Sequence, residues 1–176
     1  MKKNENGFTL LEMAVVIGIS AMLALTAAVF TFHALRTTGQ TRDHLNADSN
    51  VQNAAYWISN DAYMADNVVT ENLAPPVFLV FNWTEWGYGE SNIYHYATYS
   101  VDNITDGVGQ LKRRYQDSNG TDQQTLVGRY VYFNLSDPAN TTSVTYENRT
   151  VSLKMVIRSG IASEVRDYLI HCRPDF

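Results

Sequence analysis

The sequence is poor in the residues that carry most recognisable chemistry. It has one cysteine, Cys172, so no disulfide can close within it, and no second Cys or His stands at the spacing a zinc site needs. Positive charge is scarce as well. Lys and Arg number 13 against 18 Asp and Glu, the formal charge is −5, and the longest basic run is Lys112-Arg113-Arg114. Such a balance offers no field to a polyanion, so nucleic acid is not an expected partner. No Gly-rich phosphate loop, Gly-x-Ser-x-Gly turn or His-x-x-x-His pair occurs, and His33, His44, His95 and His171 are scattered. The expectation is a protein that is not an enzyme and has no cofactor. His95 alternates with Tyr94 and Tyr96 and reads as a residue on a sheet surface rather than a base. Calcium has one conceivable place, the turn Asp117-Ser118-Asn119-Gly120-Thr121-Asp122, whose oxygens suit a hard cation. That turn lacks the bidentate Glu of an EF-hand loop, and a solvated turn is the preferred reading.

The most informative absence is local. From Met13 to Leu35 there is no Asp, Glu, Lys or Arg. At ~1.5 Å per residue this stretch makes a helix of about 35 Å, enough to cross a hydrocarbon layer of ~30 Å. It is long for the apolar part of a secretory signal, although a cleavage site near Ala27-Ala28 would be the alternative. Lys2 and Lys3 precede the stretch and predict a cytoplasmic amino terminus, with everything after Arg36 outside. Arg36 and Arg42 weaken that asymmetry. Glu12 is the exceptional residue. A carboxylate at the mouth of a membrane helix is either a functional group or a helix-start acid favoured by the macrodipole, and the residues alone leave both open.

Gly7-Phe8-Thr9-Leu10-Leu11-Glu12, preceded by Lys2-Lys3 and followed by the uncharged run, resembles the class III leader of type IV pilins and pseudopilins. The resemblance implies cleavage after Gly7 by a prepilin peptidase and N-methylation of Phe8. It also implies a recruiting role for Glu12, whose carboxylate would neutralise the amino terminus of a neighbouring subunit. Implied partners are the peptidase, other minor pilins or pseudopilins and an inner-membrane assembly platform. Many major pilins have a proline within this helix and a disulfide-closed loop near the carboxyl end. Here Val29 lies in the corresponding region and Cys172 is alone, so a minor pilin or pseudopilin fits better.

Beyond the span, Leu45, Val51, Ala55, Ile58, Ala62, Ala65 and Val69 return to one helical face, with Asp48, Gln52, Asn60 and Asp61 largely off it. This predicts one helix from about Thr9 to Val68, loosened at Gly39. Pro75-Pro76 ends the helical region. Strand-like runs follow at Val77 to Trp83, Asn92 to Val101, Gly109 to Tyr115, Leu126 to Leu135 and Ser143 to Ile157, with a shorter one at Asp167 to His171. The expected fold is α+β, a long amino-terminal helix on a mostly antiparallel sheet. Expected divisions are a leader at 1–7, a membrane and assembly helix at 8–35 and an outer domain at 36–176. Phe81, Trp83, Trp86 and Tyr88 mark either buried sheet aromatics or an interface.

The order of elements also resembles the pilin fold. Trp57 to Asp61, the Tyr-rich strand leading to Gln110-Leu111-Lys112-Arg113-Arg114, Leu126-Val127-Gly128 and the Val151-to-Ile157 strand resemble J-type minor pseudopilins of type II secretion. The favoured function is a structural subunit of a pseudopilus or pilus tip. The rivals are a minor pilin that captures DNA or a surface, and a domain on an uncleaved signal anchor.

Overall fold

In the computed structural model, residues 9–86 and 91–173 are described. Among the described residues one helix, α1 (Leu10–Met64), is followed by eight strands: β1 (Asn67–Val69), β2 (Val77–Glu85), β3 (Ile93–Thr105), β4 (Val108–Asp117), β5 (Asp122–Tyr132), β6 (Ser143–Glu147), β7 (Thr150–Ser159) and β8 (Ala162–His171). Helix first and antiparallel sheet after is the α+β, pilin-like architecture expected. The chain divides into two compact units, residues 1–42 and 43–176.

In the first unit the helix is long and apolar enough to cross a membrane. Its leucines, valines and phenylalanines are exposed along every side. Three of its hydroxyl groups are nevertheless satisfied: Thr26 donates to the Met22 carbonyl, Thr31 to Ala27 at 2.9 Å and Thr38 to Ala34 at 2.8 Å. Each bond runs one turn back along the helix, so these three donors are not left to a lipid environment that cannot accept them.

In the second unit α1 presents Ala47, Val51, Ala54, Ala55, Ile58, Asp61 and Ala62 to the core. Alanines alternate with Val and Ile at three- and four-residue steps, which lets the helix backbone come close to the sheet. The sheet contributes Phe81, Ala97, Tyr99, Val101, Leu111, Val127, Val131, Leu153, Met155 and Ile157, all buried. Strand order is β1-β2-β3-β4-β5-β7-β6, with β8 on β7, and every pairing is antiparallel. Between β3 and β4 the chain turns through Asp106 and Gly107, both at positive φ (51° and 78°), as two-residue hairpin turns require. At Gly107 a Cβ would sit 2.6 Å from the Tyr132 ring, so the position also needs the smallest residue.

Two irregularities in the sheet are closed by side chains. Register shifts between β4 and β5 interrupt the ladder around Val127 and Tyr130. There the Asn53 side chain of α1 donates to the Val127 carbonyl at 2.7 Å, and the Asn50 side-chain Oδ1 accepts the Arg129 N–H at 2.7 Å. Where β5 and β7 meet at the single pair Val131–Ile157, buried Thr142 fills the gap. Its hydroxyl accepts the Val156 N–H at 3.0 Å, and its own N–H donates to Tyr132 at 2.9 Å. Buried backbone groups are thus paired even where the ladder fails.

The structure corrects several expectations. The helix ends at Met64 rather than Val68, because Asp66 donates its N–H to the Asn82 carbonyl and the chain leaves to pair with β2. Val69 is therefore a strand residue, and buried Ala65 lies past the helix. Gly39 lies within α1. Leu45, placed on the apolar face by spacing, is exposed, while Asp61, placed off it, is fully buried. The single run Ser143 to Ile157 is two strands joined by Asn148 and Arg149 at φ 47° and 61°, a turn without the glycine that would have announced it. The last strand begins at Ala162, five residues before Asp167.

Candidate functional site

The start of α1 is built as a reciprocal cap. Thr9 precedes the first helical residue and Glu12 lies three residues on. The Glu12 carboxylate accepts both the Thr9 N–H and the Thr9 hydroxyl at 2.9 Å, and the Thr9 hydroxyl accepts the Glu12 N–H at 3.3 Å. This is the Thr-x-x-Glu capping box, in which two otherwise orphaned N–H donors are satisfied at once. The helix-start reading of Glu12 is therefore realised in the single chain. One carboxylate oxygen takes both Thr9 donors, which leaves acceptor capacity on the other. Gly7 and Phe8 lie outside the described residues.

A second arrangement was not visible in the sequence. Asp61, on the core side of α1, has no solvent exposure. Arg113 of β4 grips it with two bonds, Nε to Oδ2 at 2.6 Å and Nη2 to Oδ1 at 2.7 Å, and the Tyr99 hydroxyl of β3 donates to Oδ2 at 2.5 Å. A planar guanidinium matches a carboxylate in this two-point geometry. The Arg113 guanidinium also lies 5.1 Å from the Trp57 ring centroid and 5.2 Å from that of Tyr115. Those contacts supply a polarisable sleeve for a charge that has lost its water. Asp61 fixes helix to sheet, and its oxygens are taken up within the fold.

The aromatic series continues across the sheet. Tyr115 bonds to His95 Nδ1 at 2.7 Å, and His95 stacks on Trp83 with centroids 5.2 Å apart. His95 Nε2 lies 3.2 Å from a Glu85 oxygen, but the angle does not make a hydrogen bond. His95 is thus buried on the core face, contrary to its expected place on the sheet surface. The alternation was right and the face was reversed, since His95 shares its side of β3 with Ala97, Tyr99 and Val101. Within the aromatic cluster, Phe81 is buried, Trp83 is half-buried and Trp86 is exposed. Tyr88 lies outside the described residues.

In the turn Asp117 to Asp122 both carboxylates accept hydrogen bonds. Asp117 accepts the N–H groups of Asn119 and Thr121 at 2.9 Å, and Asp122 takes a two-point contact from Arg114 at 2.9 and 2.5 Å. These hydrogen bonds hold both carboxyls below the usual aspartate range. Cys172 is buried, and that burial pushes its thiol up, away from the reactive thiolate.

Burial, and then the neighbouring Asp61 charge, raise the Tyr99 hydroxyl well above its ordinary value. Above the usual tyrosine range near pH 10 the unfolded chain releases this proton while the fold retains it. The native state then binds more protons, so stability falls as pH rises from about 10 toward the elevated native value. We expect urea unfolding across pH 8 to 11 to show a shallower alkaline loss in Tyr99→Phe than in the parent. Equal slopes would mean that Tyr99 does not contribute. Tyr115 and Tyr168 are also raised by burial, so part of the slope persists.

The amino-terminal segment matches a family model, the prokaryotic N-terminal methylation motif, over residues 2–28. Gly7, Phe8 and Glu12 fall inside that match. No curated protein and no solved structure matches the chain at a significant level.

Proposed function

We propose that this chain is a non-catalytic, membrane-held subunit of the pilin type. It is cleaved between Gly7 and Phe8 by a prepilin peptidase, N-methylated on Phe8 and packed through its amino-terminal helix into a short filament. The carrying observation is the coincidence of the methylation motif with a long apolar helix whose start is capped by Glu12, the one acid between Thr9 and Arg42. In this reading Lys2 and Lys3 hold the leader on the cytoplasmic side and the sheet unit lies outside. Extraction from the bilayer brings Glu12 beside the amino terminus of a neighbour, and two charges in a low-dielectric setting become one pair. The order of helix and strands supports a minor, J-like position at the tip of a type II secretion pseudopilus or of a type IV pilus. Partners are the peptidase, other minor pilins and the assembly platform.

The experiment is intact mass and amino-terminal sequencing of protein isolated from native membranes, beside a Gly7→Arg variant. A chain beginning at methylated Phe8, with the variant left uncut, is the expected result. A chain beginning at Met1, or one cut near Ala28, would remove the filament reading.

A further inference from the structure

The face of the sheet turned away from α1 carries a shallow cavity of about 190 Å³, lined by Asp66, Asn82, Thr84, Tyr94 and Tyr96 among others. Tyr94 and Tyr96 stand two residues apart on β3, so their rings share one side at a spacing of about 7 Å. They are 50% and 45% exposed. The register sets Thr84 of β2 opposite Tyr94, and Asn82 opposite Tyr96. Asp66 is anchored beside them by one carboxylate oxygen, which accepts the Thr84 N–H at 2.7 Å.

The polar groups around the two rings are uncommitted. Among the described residues, the Asn82 amide, the Thr84 hydroxyl, both phenol hydroxyls and the second Asp66 oxygen have no protein partner. The β4 cations on this face, Lys112 and Arg114, are paired with Asp102 and Asp122, and no Lys or Arg lines the cavity. An anionic ligand therefore finds nothing to hold it. A protein partner favours a dry apolar centre, and no aliphatic side chain lines the cavity. What remains is a pair of flat apolar faces ringed by donors and acceptors that fix orientation. A sugar ring has the matching chemistry, with C–H faces to lie on tyrosine and hydroxyls to bond an amide, a hydroxyl and a carboxylate.

We propose that this cavity binds an uncharged glycan chain, with Tyr94 and Tyr96 as the stacking platform and Asn82, Thr84 and Asp66 as the hydrogen-bonding rim. The proposal goes beyond the filament role and does not rest on processing at Gly7. Two sources share the chemistry, an N-acetylated strand of cell-wall type and a plain neutral polysaccharide.

The test is calorimetric titration of the full chain in phospholipid nanodiscs, free of sugar detergents, with chitohexaose, cellohexaose and maltohexaose. Saturable binding of at least one is expected. Tyr94→Ala and Tyr96→Ala should each weaken it by about tenfold, as one of two aromatic faces is removed. Tyr56→Ala, which removes an exposed aromatic from α1 instead, should leave it unchanged. Preference for chitohexaose would point to the N-acetylated source, and preference for either other sugar to the plain one. The proposal is overturned by no binding of all three, by full binding in the Tyr94→Ala/Tyr96→Ala double variant, or by an equal loss in Tyr56→Ala.

Discussion

Arg113→Met is expected to lower the stability of the sheet unit by about 3–5 kcal/mol, the range seen when one partner of a buried ion pair is removed. The cause is what remains. Asp61 has no exposure to solvent and would keep only the Tyr99 hydroxyl as a donor, so its charge would lie unpaired beneath the helix. The exchange of a forked cation for a thioether leaves volume roughly intact, which separates the electrostatic loss from a packing defect. Asp61→Leu alone should also be costly, because it strands the guanidinium between Trp57 and Tyr115. Combining Asp61→Leu with Arg113→Met should recover most of the loss, since well-packed apolar pairs often match buried ion pairs in stability. Urea unfolding followed by tryptophan fluorescence, with Trp57 as a local reporter, gives all four corners of the cycle. Additive losses in the double variant would mean that the two side chains do not act as a unit.

The second large effect concerns Glu12, and the capping box makes it separable. Glu12→Ala removes both the cap and the charge. Glu12→Gln keeps the Thr-x-x-Gln form of the cap and loses only the charge. On the filament reading both variants are processed normally, and both lose incorporation into filaments by about 100-fold or more, equivalent to roughly 3 kcal/mol. Sheared-filament yield, measured against the processed pool in membranes, reads this directly. Normal incorporation of Glu12→Gln with failure of Glu12→Ala would reduce Glu12 to a cap.

Much of the architecture was legible because it rests on periodicity. The uncharged run from Met13 to Leu35 announces its helix without any tertiary information, and alternation in β3 and β7 places their side chains in two sets. The misreadings share a physical cause. Spacing cannot say which set of an alternating strand is buried, and at His95 it points to the wrong face. Polar character misled at Asp61, since a carboxylate is buried when an arginine 52 residues away in sequence arrives to meet it. Nothing local to either residue encodes that pairing. The hairpin at Asn148-Arg149 was hidden for a different reason, an arginine in a left-handed conformation where glycine is the usual signal. The helix end at Met64 depends on the edge of β2, which captures the following residues. At the amino terminus, by contrast, Thr9 and Glu12 are three residues apart, and their cap is a local matter.

The threonines of the first unit bear on how such a helix changes surroundings. Thr26, Thr31 and Thr38 carry their hydrogen bonds with them, each closed on a carbonyl one turn back. If this segment moved from lipid into a bed of neighbouring helices, as the filament reading requires, those three bonds would be unaltered. For these side chains, bilayer and protein are equivalent solvents. The choice between the two environments then falls on the few groups that do distinguish them, chiefly the carboxylate at the head of the helix. The apolar helix is thereby indifferent at those threonines and selective at its charged end.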